Sequence, residues 1–489
     1  MLGFAMADPV PASRLQLAPD ELRRLGYRIV DLLVEHEQSL PGKPVTHVLD
    51  WRGAQERLRD PFPEQGLPPE RVLEEVERDV LGTIMHVNHP RFFAFVPGPG
   101  NLVSALADAL AAGFNVFAGT WMEGSGPAEV ELRTIDWLRQ ICGLPETAFG
   151  LLVSGGSVAN LTALAVARRV RLGDRIPRGV AYFSDQTHSA VERAFRILGF
   201  ESGQLRRLPS GVDFRLPLGA LERAVEADRA AGLIPFCVVA NAGTTNTGAV
   251  DPLRELARFC RDEGLWLHAD GAYGAAAALC ERGRRLLEGL DAVDSLALDP
   301  HKWLFQPFEA GCVLVREGSQ LRDTFRTVPP YLADVYRQEG VNFCDYGIQL
   351  TRSFRALKLW MSLKVFGVAA FRQAIERGFE LAGLAEARLR ANPVWEIVSP
   401  AQMAVVCFRY RAPGGAETES DAFQQRLADA MFAGGFAALT TTVLKGRRVL
   451  RMCTINPRTT AEDIAATIER LEQVAAGLAR GAGAAGGRR

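Results

Sequence analysis

Five short apolar runs punctuate the middle of the chain: VAYFS at 180–184, FCVVAN at 236–241, LWLHA at 265–269, SLALD at 295–299 and GCVLV at 311–315. Each has the length of a strand, and stretches with helical spacing, such as 250–263, lie between them. Strand-like runs that are apolar throughout and separated by helices favour one arrangement, a mostly parallel sheet covered by helices, an α/β fold. In open sheets of that kind, ligands and reactive groups gather at the carboxyl ends of the strands. The residues just after each run are therefore where chemistry is to be sought.

The flanking sequence has a different texture. Residues 19–38 place Leu22, Leu25, Ile29, Leu32 and Leu33 on one helical face, and 69–86 reads as another helix, with proline-rich joints at 41–44 and 61–69. This segment has no core of its own, so it is expected to pack on another domain or subunit. The expected organisation is an N-terminal helical arm over 1–89, a large domain over 90–370 and a small C-terminal α+β domain over 371–480. The small domain would hold strands at 403–409 and 448–454 and a helix at 460–478, and the low-complexity tail at 481–489 is expected to fray. Eight scattered cysteines without a C-x-x-C pair read as buried free thiols. The first residues lack a signal-peptide pattern, and no run reaches a membrane-spanning length, so a cytoplasmic protein is expected. A net charge of −1 offers no general attraction to nucleic acid or anionic membrane. His86 and His89 have no third ligand arranged beside them, so no metal site is expected.

Composition sharpens the search at the strand ends. Of 56 basic side chains only five are lysines: Lys43, Lys302, Lys358, Lys364 and Lys445. Lys302 alone stands just beyond a strand, in Asp299-Pro300-His301-Lys302-Trp303. Apolar strands around it would lower its amine pKa, and a deprotonated amine can form a Schiff base. Leu151 to Ser157 reads as strand, glycine turn and helix start, which offers bare amides and the Ser157 hydroxyl to a phosphate. Asp270 closes an apolar run and can pair with a protonated ring nitrogen, while His188 follows the run at 180–184 and can stack on a flat ring or act as acid or base. Taken singly, each has an ordinary reading: a surface lysine, an N-cap serine, a loop-capping aspartate, a polar-loop histidine. Combined, they describe a pyridoxal phosphate site.

The ordered set SGGS, DQTHSAVERA, NAGTTNTG, HADGAY and DPHKW resembles the group II pyridoxal-phosphate-dependent amino-acid decarboxylases, the family of aromatic-L-amino-acid and glutamate decarboxylases, over about residues 20–475. The resemblance implies a type I (aspartate aminotransferase-like) fold and a homodimer whose N-terminal helices embrace the partner subunit. It implies that Lys302 forms the internal aldimine, that Asp270 pairs with the pyridine nitrogen and that His188 stacks on the ring. Gly156, Ser157 and His301 match phosphate-contacting positions, Thr245 and Ala272 match positions flanking the ring, and Asp299 stands where animal members carry Asn. The implied reaction is decarboxylation of an aromatic or other apolar L-amino acid to its amine and CO2.

Two departures from the family pattern bear on substrate and outcome. The family's loop tyrosine, which reprotonates Cα, falls within 317–350, where Tyr331, Tyr336 and Tyr346 stand; gapless alignment places Phe343 opposite it, and a short gap places Tyr346 there. Tyr346 is the expected donor. Members with phenylalanine resemble aldehyde synthases, which deaminate oxidatively as they decarboxylate, so that reaction is the alternative, with glutamate decarboxylation another. In the substrate-wall segment His89 to Gly98 and just before it, the Trp, Tyr, Phe and Thr of animal aromatic enzymes give way to Val87, Phe95, Val96 and Gly98. Trp121 falls where those enzymes place a phenylalanine from the neighbouring subunit, and Arg451 is the expected anchor for the substrate α-carboxylate. A non-catalytic cofactor-binding dimer is a third reading, which the intact Lys302, Asp270 and His188 oppose.

Overall fold

The computed structural model describes residues 15–327, 330, 334–337, 339–411 and 417–486. Contacts divide the chain into two units, one ending at His86 and the other beginning at Val87. In the first, α1 (Pro19–Ser39) starts on a proline at its first turn, with Asp20 and Glu21 against the positive end of its dipole. No residue of α1 is buried. Helix α2 (Trp51–Arg57) is capped by the Asp50 carboxylate, which accepts from the Gly53 amide. Helix α3 (Pro69–Glu75) is shorter than the helix expected over 69–86: it loosens into a wider turn at Val76–Val80 and tightens again at Leu81–Thr83. Two β-branched valines and Gly82 give that stretch little intrinsic helix preference.

The second unit opens with α4 (Leu102–Gly113) and α5 (Ser125–Ile141) and then alternates strands with helices. In chain order these are β1 (Phe149–Val153), α6 (Gly156–Arg171), β2 (Gly179–Ser184), α7 (Ser189–Ile197), β3 (Leu205–Leu208), α8 (Leu218–Ala230) and β4 (Ile234–Asn241). Next come α9 (Leu253–Asp262), β5 (Trp266–Asp270), α10 (Glu281–Leu286), β6 (Ser295–Leu298), β7 (Gly311–Val315) and α11 (Ser319–Phe325). The strands form one seven-stranded sheet in the order β1-β7-β6-β5-β4-β2-β3. Only β7 runs against its neighbours, β1 and β6. The five apolar runs are thus five strands of this sheet, and β2, β4, β5 and β6 are parallel. Their side chains are buried almost without exception, because helices cover both faces.

A long helix, α12 (Ala356–Ala391), follows, its backbone interrupted at Gly367, where φ is +74°. The rest is a four-stranded antiparallel sheet in the order β10-β11-β9-β8, from β8 (Trp395–Gln402), β9 (Val405–Tyr410), β10 (Thr440–Leu444) and β11 (Arg447–Cys453), with α13 (Glu417–Ala433) and α14 (Ala461–Gly486). Strand β9 begins two residues later than the expected start at 403, because Met403 and Ala404 turn in the left-handed region to join it to β8. Strands β8 and β10 were not evident from pattern, since Glu396, Ser399 and the threonines of 440–442 break the apolar run. Helix α14 continues beyond 478 into the expected tail as far as Gly486, in keeping with an alanine-rich composition; residues 487–489 lie outside the described ones. Each sheet has its own apolar core, the smaller built on Trp395, Phe408, Leu427, Leu450 and Ile468. All eight cysteines are buried and unbridged. Among the described residues, no helix is long and apolar enough to cross a membrane.

Candidate active site

The carboxyl ends of β2, β4, β5 and β6 lie along one edge of the sheet, and the turn after β1 joins them. Beyond β6 the chain makes a tight turn in which the Lys302 amide donates to the Asp299 carbonyl at 3.0 Å. The turn brings Lys302 Nζ to 3.0 Å from Asp299 Oδ2. The apolar setting expected for this lysine is therefore not what the structure provides: a buried carboxylate is its nearest partner. Asp299 Oδ1 is buried without a hydrogen-bond partner. Lys302 stands where two cavities meet, of about 300 and 540 Å³, and His188 and Thr245 also line both.

The smaller cavity collects the whole expected cofactor set: Gly156, Ser157, His188, Thr245, Asp270, Ala272, Asp299, His301 and Lys302. Helix α6 starts there without a side-chain cap; the Val158 and Ala159 amides donate to the Gly155 carbonyl, and those of Gly156 and Ser157 are left to whatever the cavity holds. A Cβ at 156 would lie 2.9 Å from Asp299 Oδ2 and 3.2 Å from the Ala272 Cβ, so any larger residue there displaces the Asp299 carboxylate beside Lys302. Asp270, 6% exposed at the end of β5, accepts from the Ala272 amide on Oδ1 and from the Asn160 side chain on Oδ2. His188 caps α7, its Nδ1 accepting from the Ala190 amide, so its proton sits on Nε2. His301 Nδ1 accepts from the Ala310 amide, and burial lowers its pKa against the opposing pull of Asp299. A cradle of bare amides, a flat ring at His188, a buried carboxylate and a primary amine are complementary to a phosphorylated pyridine aldehyde. The residues present fit pyridoxal 5'-phosphate.

The larger cavity is lined by Phe95 and Val96 on one side, Arg451 of β11, and Gln425, Asp429 and Phe432 of α13 on another. Arg451 is 3% exposed; its Nε donates to the Asn246 carbonyl at 3.1 Å, Nη1 donates to the Phe95 carbonyl, and Nη2 has no partner. Phe95 takes a left-handed conformation, φ +54°, rare for a bulky side chain, and stands half exposed at the cavity wall. Three residues on, a Cβ at Gly98 would lie 2.5 Å from the His301 carbonyl, so only glycine lets the wall segment pass so close to the lysine turn.

Two expected site residues are not brought to these cavities within the chain. Tyr346 packs on Phe149 with ring centroids 4.8 Å apart, and Phe149 begins β1, whose other end leads into the phosphate cradle, roughly 13 Å away along the strand. Phe343 stacks on the same ring at 6.1 Å, so both alternatives for the loop position occupy one cluster. Tyr336 donates to Asp345 Oδ1 at 2.7 Å, and Tyr331 lies outside the described residues. Trp121 donates its amide to Asn342 Oδ1 at 2.9 Å, which ties it to the same 340–346 segment. Conversely, Asn160, Asn246, Gln425 and Asp429 line the cavities without having been singled out. Asn160 left one signal, a lone amide among the alanines and leucines of α6.

Residues 53–411 match the model of the pyridoxal-dependent decarboxylase conserved domain. An aromatic-L-amino-acid decarboxylase from Bacillus atrophaeus is 49% identical over 95% of this chain and 97% of its own. A phenylacetaldehyde synthase from Petunia hybrida is 31% identical over 91% of this chain and 92% of its own. Among solved structures, Oryza sativa TDC with PLP and tryptamine superposes with a TM-score of 0.90 at 30% identity, covering 96% of this chain and all (100%) of that one.

Proposed function

The chain belongs to the pyridoxal-dependent decarboxylase family, a PLP enzyme of the type I fold, and from that membership we propose that it converts an aromatic L-amino acid to the corresponding amine and CO2. The observation that carries the substrate class is the larger cavity: an aromatic and aliphatic wall, Phe95, Val96 and Phe432, beside one buried guanidinium with an unused nitrogen. Bound pyridoxal phosphate supplies a carbonyl that condenses with amines and a ring that takes up the electron pair left at Cα when CO2 departs. The chain's own groups do the rest. Arg451 Nη2 takes the substrate α-carboxylate, while Nε and Nη1 stay fixed on Asn246 and Phe95 and hold the guanidinium still. Lys302 Nζ, at the junction of the cavities, is the amine that meets cofactor and substrate, with Asp299 beside it. Asp270 would hold a proton on the ring nitrogen, His188 would stack on the ring, and Gly156, Ser157 and His301 would hold the phosphate end. Phe95 and Val96 give the substrate side chain an apolar wall. A glutamate side chain would bring a second carboxylate to a wall whose added charge is Asp429, so acidic substrates are disfavoured.

The protein acts as a homodimer in this reading, with the exposed apolar residues of α1, Leu22, Tyr27, Ile29 and Val30, covered by the partner. Trp121 and the Phe343–Tyr346 cluster then serve the partner's cavity rather than their own. The buried reduced thiols suit a cytoplasmic protein. A second reading, aldehyde formation, is favoured by the likeness to the Petunia enzyme. One experiment separates them: the protein with pyridoxal phosphate is given L-phenylalanine, L-tyrosine, L-tryptophan and L-glutamate, and CO2, amine, ammonia, aldehyde and peroxide are measured. Amine equal to CO2 from the aromatic substrates is the expected result; aldehyde with ammonia and peroxide would establish the second reading, and turnover of glutamate alone would overturn both.

A further inference from the structure

Behind Asp270 lies a run of buried polar groups that the proposed reaction does not use. The Trp266 indole N–H donates to Ser295 Oγ at 2.8 Å; Ser295 Oγ lies 2.8 Å from His268 Nδ1; His268 Nε2 lies 2.7 Å from Asn160 Oδ1; and Asn160 Nδ2 donates to Asp270 Oδ2 at 3.2 Å. Asn160, His268, Ser295 and Trp266 are each at most 2% exposed. Donor and acceptor chemistry allows this run one direction. An amide oxygen only accepts, so His268 Nε2 carries the proton. A neutral imidazole then accepts at Nδ1, and the Ser295 hydroxyl donates to it while receiving the indole N–H. A doubly protonated ring is disfavoured there, since burial pushes His268 down to about 4. Were the Asn160 amide to turn over, its oxygen would face the Asp270 carboxylate and its NH2 the His268 N–H, two repulsive contacts.

We propose that Asn160 is a positioning residue for the cofactor, its amide oriented by the His268–Ser295–Trp266 relay so that Asp270 presents a fixed carboxylate to the ring nitrogen. The placement on α6 gives this a geometric meaning. The helix that offers Gly156 and Ser157 to the phosphate carries Asn160 one turn further on, about 6 Å along its axis. One rigid element therefore registers both ends of the cofactor, the phosphate directly and the ring nitrogen through Asp270. Buried relays of this kind act through orientation, and the loss of a supporting partner of a bound group typically costs ten- to a hundredfold in affinity or activity where this has been measured at metal sites.

The inference rests on the pyridoxal phosphate reading, and the test separates the two. Pyridoxal phosphate is titrated into cofactor-free wild type, His268→Leu, His268→Gln and Asn160→Asp, with absorbance reporting the dissociation constant and circular dichroism the fold. Gln keeps a donor toward Asn160 and an acceptor toward Ser295; Leu keeps only bulk. The expected result is a dissociation constant raised at least about tenfold in His268→Leu and Asn160→Asp and within about threefold of wild type in His268→Gln. In the cofactor-saturated proteins kcat falls while KM for the amino acid is unmoved. Equal dissociation constants in the Leu and Gln variants would overturn the relay, because a packing role does not distinguish them. Failure of wild type to bind the cofactor would instead overturn the family-based reading. If His268→Leu does not fold, Ser295→Ala with Ser295→Thr as its rescue replaces the pair, with the same criteria.

Discussion

At the scale of single residues, Lys302 and Asp270 carry the strongest expectations. Lys302→Ala removes the lysine that lines both cavities, and CO2 release from any amino acid should fall to background; retained turnover would displace Lys302 from its role. Strand-end position made these two residues, His188 and the SGGS cradle legible in the sequence, since each follows an apolar run. The surroundings of Lys302 were not legible, because the Asp299 side chain reaches it only through the turn that the fold imposes. His268 makes a stability prediction whose sign is fixed. Its pKa is held near 4 in the fold against about 6.5 when exposed, so between these values the unfolded chain binds a proton that the folded chain does not. Stability is therefore fully present above pH 6.5 and is lost as pH falls toward 4, by roughly 3 kcal/mol. His86 is lowered similarly, mainly by burial, and acts in the same direction. Urea midpoints of wild type and His268→Gln at pH 6.5 and 4.5 check this: the variant should lose less on acidification.

At the scale of elements, the buried Arg352–Glu131 pair does what no backbone ladder does. Its N···O distance is 2.5 Å, with both side chains at most 1% exposed, and Arg352 also donates to the carbonyls of Ala118 and Leu152 while Glu131 accepts the Leu152 amide. The pair thereby ties α5, β1 and the segment leading into α12 behind the phosphate cradle. Glu131→Gln leaves a buried guanidinium without its counter-charge and should destabilise the fold by about 3–5 kcal/mol, readable as a shift in chemical denaturation. The apolar strands of the large sheet could be found by pattern because burial on both faces makes them uniformly hydrophobic. Strands β3, β8 and β10 could not, since Arg206, Arg207, Glu396 and the threonines of β10 mix polar residues into them. The break in α12 at Gly367 falls close to the expected boundary at 370, and we propose it as the joint between the large and small domains.

At the scale of the whole molecule, the second unit holds every residue of the proposed cofactor site, yet two expected site residues lie elsewhere in it. Placement of Trp121 and Tyr346 depended on long-range packing, which leaves no mark in local sequence. The proposed dimer is directly measurable. Sedimentation of the purified protein should give twice 53.3 kDa, and Ile29→Asp with Val30→Asp on the exposed face of α1 should shift it toward the monomer. A monomeric wild type that still turns over would remove the partner from the mechanism. Helix α6 adds a different kind of constraint. Its Gly156 and Ser157 amides would serve the phosphate through the backbone, so the half-buried Val158 can vary, whereas Ala159, fully buried in the core, must stay small. One inserted residue, however, would swing the Asn160 amide about 100° around the helix axis and break the link to Asp270. This stretch should therefore tolerate a change at Val158 far better than any change of length.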